Sequence, residues 1–140
     1  MIAPEELVAR IAGSLPPYAR SMGIGVDSVL DGAPLLTLAF AGKVLGRPGF
    51  LHGGAIGGLL EMAAFSALRM TLEARGNPLR LKPVNVTVEF LRGGTEQTTY
   101  ALGRVTRAGR RIANVSAQAW QENRDRPIAT AWMNVLLAEQ

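Results

Sequence analysis

Apolar residues recur at helical spacing at the start of the chain, with Leu7, Val8, Ile11 and Leu15 falling on one face between Pro4 and about Leu15. Pro4 and two glutamates occupy the first turn, where a fixed φ and the helix dipole favour them, so a short amphipathic helix is predicted. Two extended segments follow, Ile24 to Leu30 and Pro34 to Phe40, and the Asp31-Gly32 pair between them predicts a β-hairpin. Gly46 to Leu51 reads as a loop punctuated by Pro48 and Gly49. It leads into a long helix from about Gly53 to Arg75, stopped by Gly76-Asn77-Pro78. The period then changes: Val84, Val86, Val88 and Phe90 alternate with Asn85, Thr87 and Glu89, predicting a half-buried strand with one face against the helix. Segments near Gln97 to Arg107, Arg110 to Gln121 and Ile128 to Leu137 repeat the strand signal, with turns at Ala108-Gly109 and Glu122 to Arg126, so an antiparallel meander is expected.

The second helix is apolar on nearly every face and should therefore be buried, which a curved antiparallel sheet wrapped around it would achieve. The expected class is α+β. At 140 residues and 48% hydrophobic content, the chain fits one domain, residues 1–140, able to bury roughly two-thirds of its unfolded surface. Pro48 to Leu68 has roughly the length of a membrane span, but its four Gly in GGAIGG, a His and a Glu would be costly in lipid, so no membrane partner is expected. The N-terminus carries two glutamates where a signal peptide needs a basic segment and an unbroken apolar run; it reads as mature fold, and a cytoplasmic location is expected.

Composition narrows the chemistry. With no cysteine and a single histidine, disulfides, thiolate nucleophiles and Cys- or His-rich metal sites within one chain are excluded, and no metal or separate cofactor is expected. The net charge of +4 comes from thirteen Arg against two Lys, and arginine suits planar, bidentate capture of phosphate. An anionic ligand and a merely solvated arginine-rich surface both fit. Nucleic acid is only weakly supported and is not expected as a partner, because the basic residues are not interleaved with exposed aromatics and no binding motif is present.

Glu61 is the one acid in PGFLHGGAIGGLLEMAAFSAL, where His52 is the only other ionisable side chain. A carboxylate in an apolar helix loses hydration that little nearby replaces, at a cost of several kcal/mol unless a partner, a water or a substrate uses it. It either serves chemistry or is structural, reaching a solvated edge or pairing with an arginine from elsewhere.

The sequence HGGAIGGLLE, in which His-Gly-Gly opens an apolar helix and an acid follows nine residues after the His, resembles the hotdog-fold acyl-CoA thioesterases of the phenylacetate-pathway (PaaI-like) group. VNVTVEFLR (84–92) resembles that family's alternating strand, and RAGRR (107–111) its basic hairpin. The resemblance implies hydrolysis of an acyl-CoA thioester, with coenzyme A as part of the substrate, Glu61 activating water or attacking directly, and the Gly53 amide polarising the carbonyl. The physical chemistry agrees, because the first amides of a helix are unpaired donors at its positive end, and negative charge develops on that carbonyl oxygen. Gly54 shares the helix entrance with Gly53. For Gly57 and Gly58 close helix-to-sheet packing is the preferred reading.

Gly53 and Glu61 lie eight residues apart, about 12 Å along one helix at 1.5 Å per residue, too far to meet one carbonyl. Two such helices antiparallel across a two-fold axis would bring Gly53 of one subunit near Glu61 of the other, so an obligate homodimer is expected. The resemblance adds pairing of dimers into a homotetramer. His52, at the loop–helix junction, could orient the loop or touch the thioester. Arg92, Arg104, Arg107, Arg110 and Arg111 are candidates for the phosphates of coenzyme A, with RAGRR favoured; Phe50, Leu51, Met62 and Phe65 are candidates for the acyl tunnel or plain core. Two departures stand out. Many relatives carry Asn where this chain has Gly46, and a Ser or Thr near Pro83, for which Asn85 or Thr87 could substitute. A hotdog hydratase or dehydratase, and a non-catalytic acyl-CoA-binding module, are the alternatives.

Overall fold

The computed structural model describes residues 2–77 and 79–139. The elements run α1 (Pro4–Ser14), α2 (Pro17–Ser21), β1 (Ile24–Leu30), β2 (Ala33–Leu38), α3 (Gly53–Ala74), β3 (Arg80–Phe90), β4 (Thr99–Ala108), β5 (Ile112–Trp120) and β6 (Ala129–Ala138). The six strands form one antiparallel sheet in the order β1-β2-β4-β5-β6-β3, curled around α3. This is the α+β hotdog fold.

Local chemistry accounts for the junctions. Asp31 (φ 53°) and Gly32 (φ 75°) are both left-handed, the pairing whose twist matches a two-residue hairpin. At the end of α3, Gly76 takes φ 68°, the Asn77 amide donates to the Leu72 carbonyl (3.0 Å), and the Gly76 amide donates to that of Glu73 (3.0 Å). The three form a left-handed cap that satisfies carbonyls otherwise left without donors. Pro78, expected to help stop this helix, lies outside the described residues. Two short elements give no periodic signal in the sequence: α2, started by Pro17 in its first turn, and a single 3-10 turn at Gly42–Val44.

The sheet comes unusually near α3 at β4. A Cβ on Gly103 would stand 2.4 Å from the Ala63 carbonyl oxygen, so only glycine allows this approach. Leu59, Leu60, Ala63, Ala64 and Leu68 fill the interface from the helix side, with Leu36, Leu38, Val115 and Val135 among their sheet counterparts.

Two expectations about burial change. First, α3 is not covered all round: Gly54, Gly57, Glu61, Phe65 and Arg69 form a stripe at helical spacing that the sheet leaves partly or fully exposed. Second, β3 is an edge strand, and most of it is exposed rather than half-buried. A bulge at Val84 breaks the alternation, since Pro83 pairs with Val135 but Asn85 pairs with Asn134. Beyond the bulge, Val86, Val88 and Phe90 pair with Met133, Ala131 and Ala129, whose side chains are buried on the helix side. Yet Val86 and Phe90 are 38% and 57% exposed, because the strand lies at the margin of what α3 covers.

Candidate active site

The entrance to α3 is shaped by the loop before it. His52 donates its amide to the Val44 carbonyl (2.8 Å), Leu51 donates to that of Gly94 (3.0 Å), Gly46 donates to that of Phe50 (3.0 Å), and Phe50 donates to that of Arg47 (3.0 Å). A Cβ on Gly46 would lie 3.2 Å from His52 Cα. The loop closes tightly on His52, so a side chain at position 46 would crowd its backbone and require a small shift.

His52 caps the helix: its Nδ1 accepts from the Gly54 amide at 2.8 Å, and its carbonyl accepts from Ala55 (3.0 Å) and Ile56 (3.2 Å). This bond requires an unprotonated Nδ1, so the ring proton sits on Nε2. Gly53 and Gly54, neighbours at the helix entrance, therefore differ in what their amides do. The Gly54 amide is consumed by the cap, while that of Gly53 has no acceptor among the described residues; the Phe90 ring packs on the side of Gly53 where a Cβ would stand.

Glu61 lies further along the same unbroken helix, half-buried on the uncovered stripe. Among the described residues it makes no ion pair; the one present is Arg124–Asp31. The expected arginine partner for a structural carboxylate is thus not found. The continuous helix keeps Gly53 and Glu61 about 12 Å apart.

The other candidates are dispersed. Met62 and Phe65 line a groove of about 350 Å³ between α1 and α3. Phe50 lies under the Arg47 guanidinium (4.1 Å) and against Gly93, whereas Leu51 is buried in the main core, so neither reaches that groove. Asn85 projects to the sheet face away from α3, where it accepts from Asn134 (2.9 Å); Thr87, paired with Trp132, shares that face. Neither faces Glu61.

The arginines divide between the two ends of α3. Arg92 follows Phe90 at the Gly53 end, and its Nε donates to the Pro127 carbonyl (3.1 Å). It lines a polar cavity of about 350 Å³ with Gln97, Asn123 and Arg126. Arg126 was not singled out in the sequence, where it is one of several turn residues. The Arg107, Arg110 and Arg111 hairpin lies at the opposite end, because Arg75 just past α3 donates to the Ala108 carbonyl (3.5 Å). Arg104, exposed near the middle of β4, borders a separate cavity with Arg124.

Tyr18 also carries no signal in the sequence. From α2 its hydroxyl rests on Gly58, so that the glycine makes room for this phenol rather than for the sheet. Gly57 meets nothing within 4 Å of a hypothetical Cβ. Among the described residues no group of three or more His, Asp or Glu could hold a metal ion.

The family described as the Thioesterase superfamily matches residues 48–128, from the loop before α3 to the start of β6. Among solved structures, a protein from Chromobacterium violaceum is 33% identical, with a TM-score of 0.73 over 96% of this chain and 91% of that one. A mutant thioesterase from Pseudomonas aeruginosa is 17% identical with a TM-score of 0.82, over 95% of this chain and 94% of its own. A phenylacetic acid degradation-related protein from Ralstonia eutropha is 22% identical with a TM-score of 0.75, over 92% and 98%. No curated protein matches the chain.

Proposed function

The chain belongs to the thioesterase superfamily, and we propose that the thioester it hydrolyses is that of an acyl-coenzyme A, at a site shared between two copies of the chain. The observation that carries this reading is the separation of the free Gly53 amide from the half-buried, unpaired Glu61 along one straight helix. Neither group can serve one carbonyl within a protomer, but each can serve it across a two-fold axis.

Gly57 supports that arrangement. It lies four residues from both Gly53 and Glu61, so antiparallel packing that sets Gly53 opposite Glu61 brings Gly57 against its own copy, where the open space over it lets two backbones approach. The edge strand β3, with Val84, Val86 and Phe90 exposed and Leu91 exposed just beyond it, offers apolar surface for the same contact. Trp132, Ile112 and Leu136, exposed on the opposite sheet face, would serve pairing of dimers into a tetramer.

In this site the Gly53 N–H receives the carbonyl oxygen as it gains charge, helped by the positive end of α3. Glu61 of the partner subunit either takes a proton from water, whose oxygen adds to the carbonyl carbon, or adds itself to give an anhydride that water then opens. In the water route the C–S bond then breaks and coenzyme A leaves as a thiolate that takes the proton held by Glu61; in the anhydride route the C–S bond breaks as the anhydride forms, and the departing thiolate takes its proton from solvent. Arg92 and Arg126 stand at the Gly53 end to meet phosphate, and antiparallel pairing carries the partner subunit's Arg107, Arg110 and Arg111 toward the same end.

A panel of acyl-CoAs with a thiol reagent, run on the wild type and Glu61→Gln together, tests the reading. Free coenzyme A should appear with the wild type and not with Glu61→Gln, while ligand affinity stays within about tenfold. Hydration of an enoyl-CoA, binding without turnover, or undiminished turnover by Glu61→Gln would each overturn it.

A further inference from the structure

We propose that the groove between α1 and α3 is the acyl site, so that the protein selects thioesters of extended, apolar acyl groups; the inference rests on the reading of Glu61 as the attacking or activating acid. The groove begins beside that acid, since Met62 is the next residue and Phe65 lies one turn further along the same helix. Its walls are apolar, with Leu7, Ile11 and Leu15 facing Met62, Phe65 and Met70. It exists because α1 covers this face without sealing it: α1 has an apolar face but no fully buried residue. At about 350 Å³ it falls at the small end of small-molecule pockets, roughly 300–1,000 Å³, and suits one chain rather than a helix or strand of another protein.

The far mouth sets a limit. Arg10, Arg69 and Glu73 line that end of the groove, and Glu73 stands eight residues beyond Phe65, about 12 Å along the helix. A chain that grew to this point would meet charged, hydrated groups. Each methylene up to the mouth would therefore add binding, and methylenes beyond it would add none.

The test is the kcat/KM of the wild type on acetyl-, butanoyl-, hexanoyl-, octanoyl- and hexadecanoyl-CoA. The expected rise is about fourfold per buried methylene, followed by a plateau or fall at the longest chain. Ser66→Phe, which fills the groove from α3, should lower the ratio of octanoyl-CoA to acetyl-CoA kcat/KM at least tenfold. Ile11→Trp repeats the test from α1 if the first variant does not fold. A flat profile in the wild type, or an unchanged profile in a folded groove-filling variant, would overturn the proposal. Decanoate binding followed by thermal shift separates this failure from that of the parent reading. If no acyl-CoA is hydrolysed but decanoate stabilises the wild type and not Ser66→Phe, the groove stands and the role of Glu61 falls; if decanoate has no effect either, the groove falls too.

Discussion

The Tyr18 hydroxyl lies where a side chain on Gly58 would begin: a Cβ built on that glycine would stand 2.0 Å from Oη and 2.9 Å from the ring carbon that bears it. The contact joins α2 to the first third of α3, about one helical turn before Glu61, and holds the N-terminal helices over the helix that carries the acid.

A double-mutant cycle reads this contact directly. Gly58→Ala alone should destabilise the protein by about 1–3 kcal/mol in urea unfolding, since the phenol has to move. In a Tyr18→Ala background the same change should become neutral or stabilise by up to ~1 kcal/mol, because alanine is the better helix former. Equal costs in both backgrounds would show that the crowding at Gly58 comes from elsewhere.

A site shared between two copies, as proposed, predicts complementation. Gly53→Pro removes one amide at the first helical position, where proline is tolerated, and His52 already has the extended backbone that a following proline requires. Turnover should fall about 10²- to 10³-fold with the fold intact. Gly53→Pro and Glu61→Gln should each be nearly inactive, yet subunit exchange between them should restore about a quarter of wild-type activity, since half of randomly mixed dimers carry one intact site of two. No recovery on proven exchange would place both groups in one subunit's site.

His52 is expected to act through the cap. His52→Ala should cost about 1 kcal/mol of stability and lower turnover by misplacing the entrance to α3, while His52→Asn, whose side chain can also accept from the Gly54 amide, should restore both. A loss of 10²-fold or more in a fully stable His52→Asn protein would assign the imidazole a direct proton-transfer role.

Gly57→Leu should be silent within a protomer, where the position is open, and disruptive between protomers. Sedimentation should show monomer at micromolar concentration with a native circular-dichroism spectrum and no thioester cleavage. An active dimer carrying leucine at position 57 would move the two-fold axis away from this residue.

Most of the fold was legible because its signals are local. Asp31-Gly32, the apolar run of α3 and the alternating segments from Thr99 onward each declare their conformation within a few residues. The phase of β3 did not, since the bulge at Val84 inserts one residue into an alternation that reads unbroken in the sequence, and the strand's place at the sheet margin is a property of the whole topology. At the site, the acid and the glycine pair stood out through their apolar surroundings. The difference between Gly53 and Gly54 depends on where one imidazole nitrogen points, and Tyr18 meets Gly58 across forty residues, so neither relationship has a trace in spacing.

The two margins of the sheet are unlike. β1 carries a bulge at Asp27 and has α1 packed against it, whereas β3 runs eleven residues with its outer side bare apart from the kink at Pro83 and Val84. Joining β3 to a second β3 uses up the bare margin of both molecules and ends growth there, while a β3-to-β1 join would leave one adhesive margin at each end and could lengthen without limit into a fibre. Under the proposed pairing, the bulge and helix at β1 would act as a terminator, steering the assembly toward a finite particle.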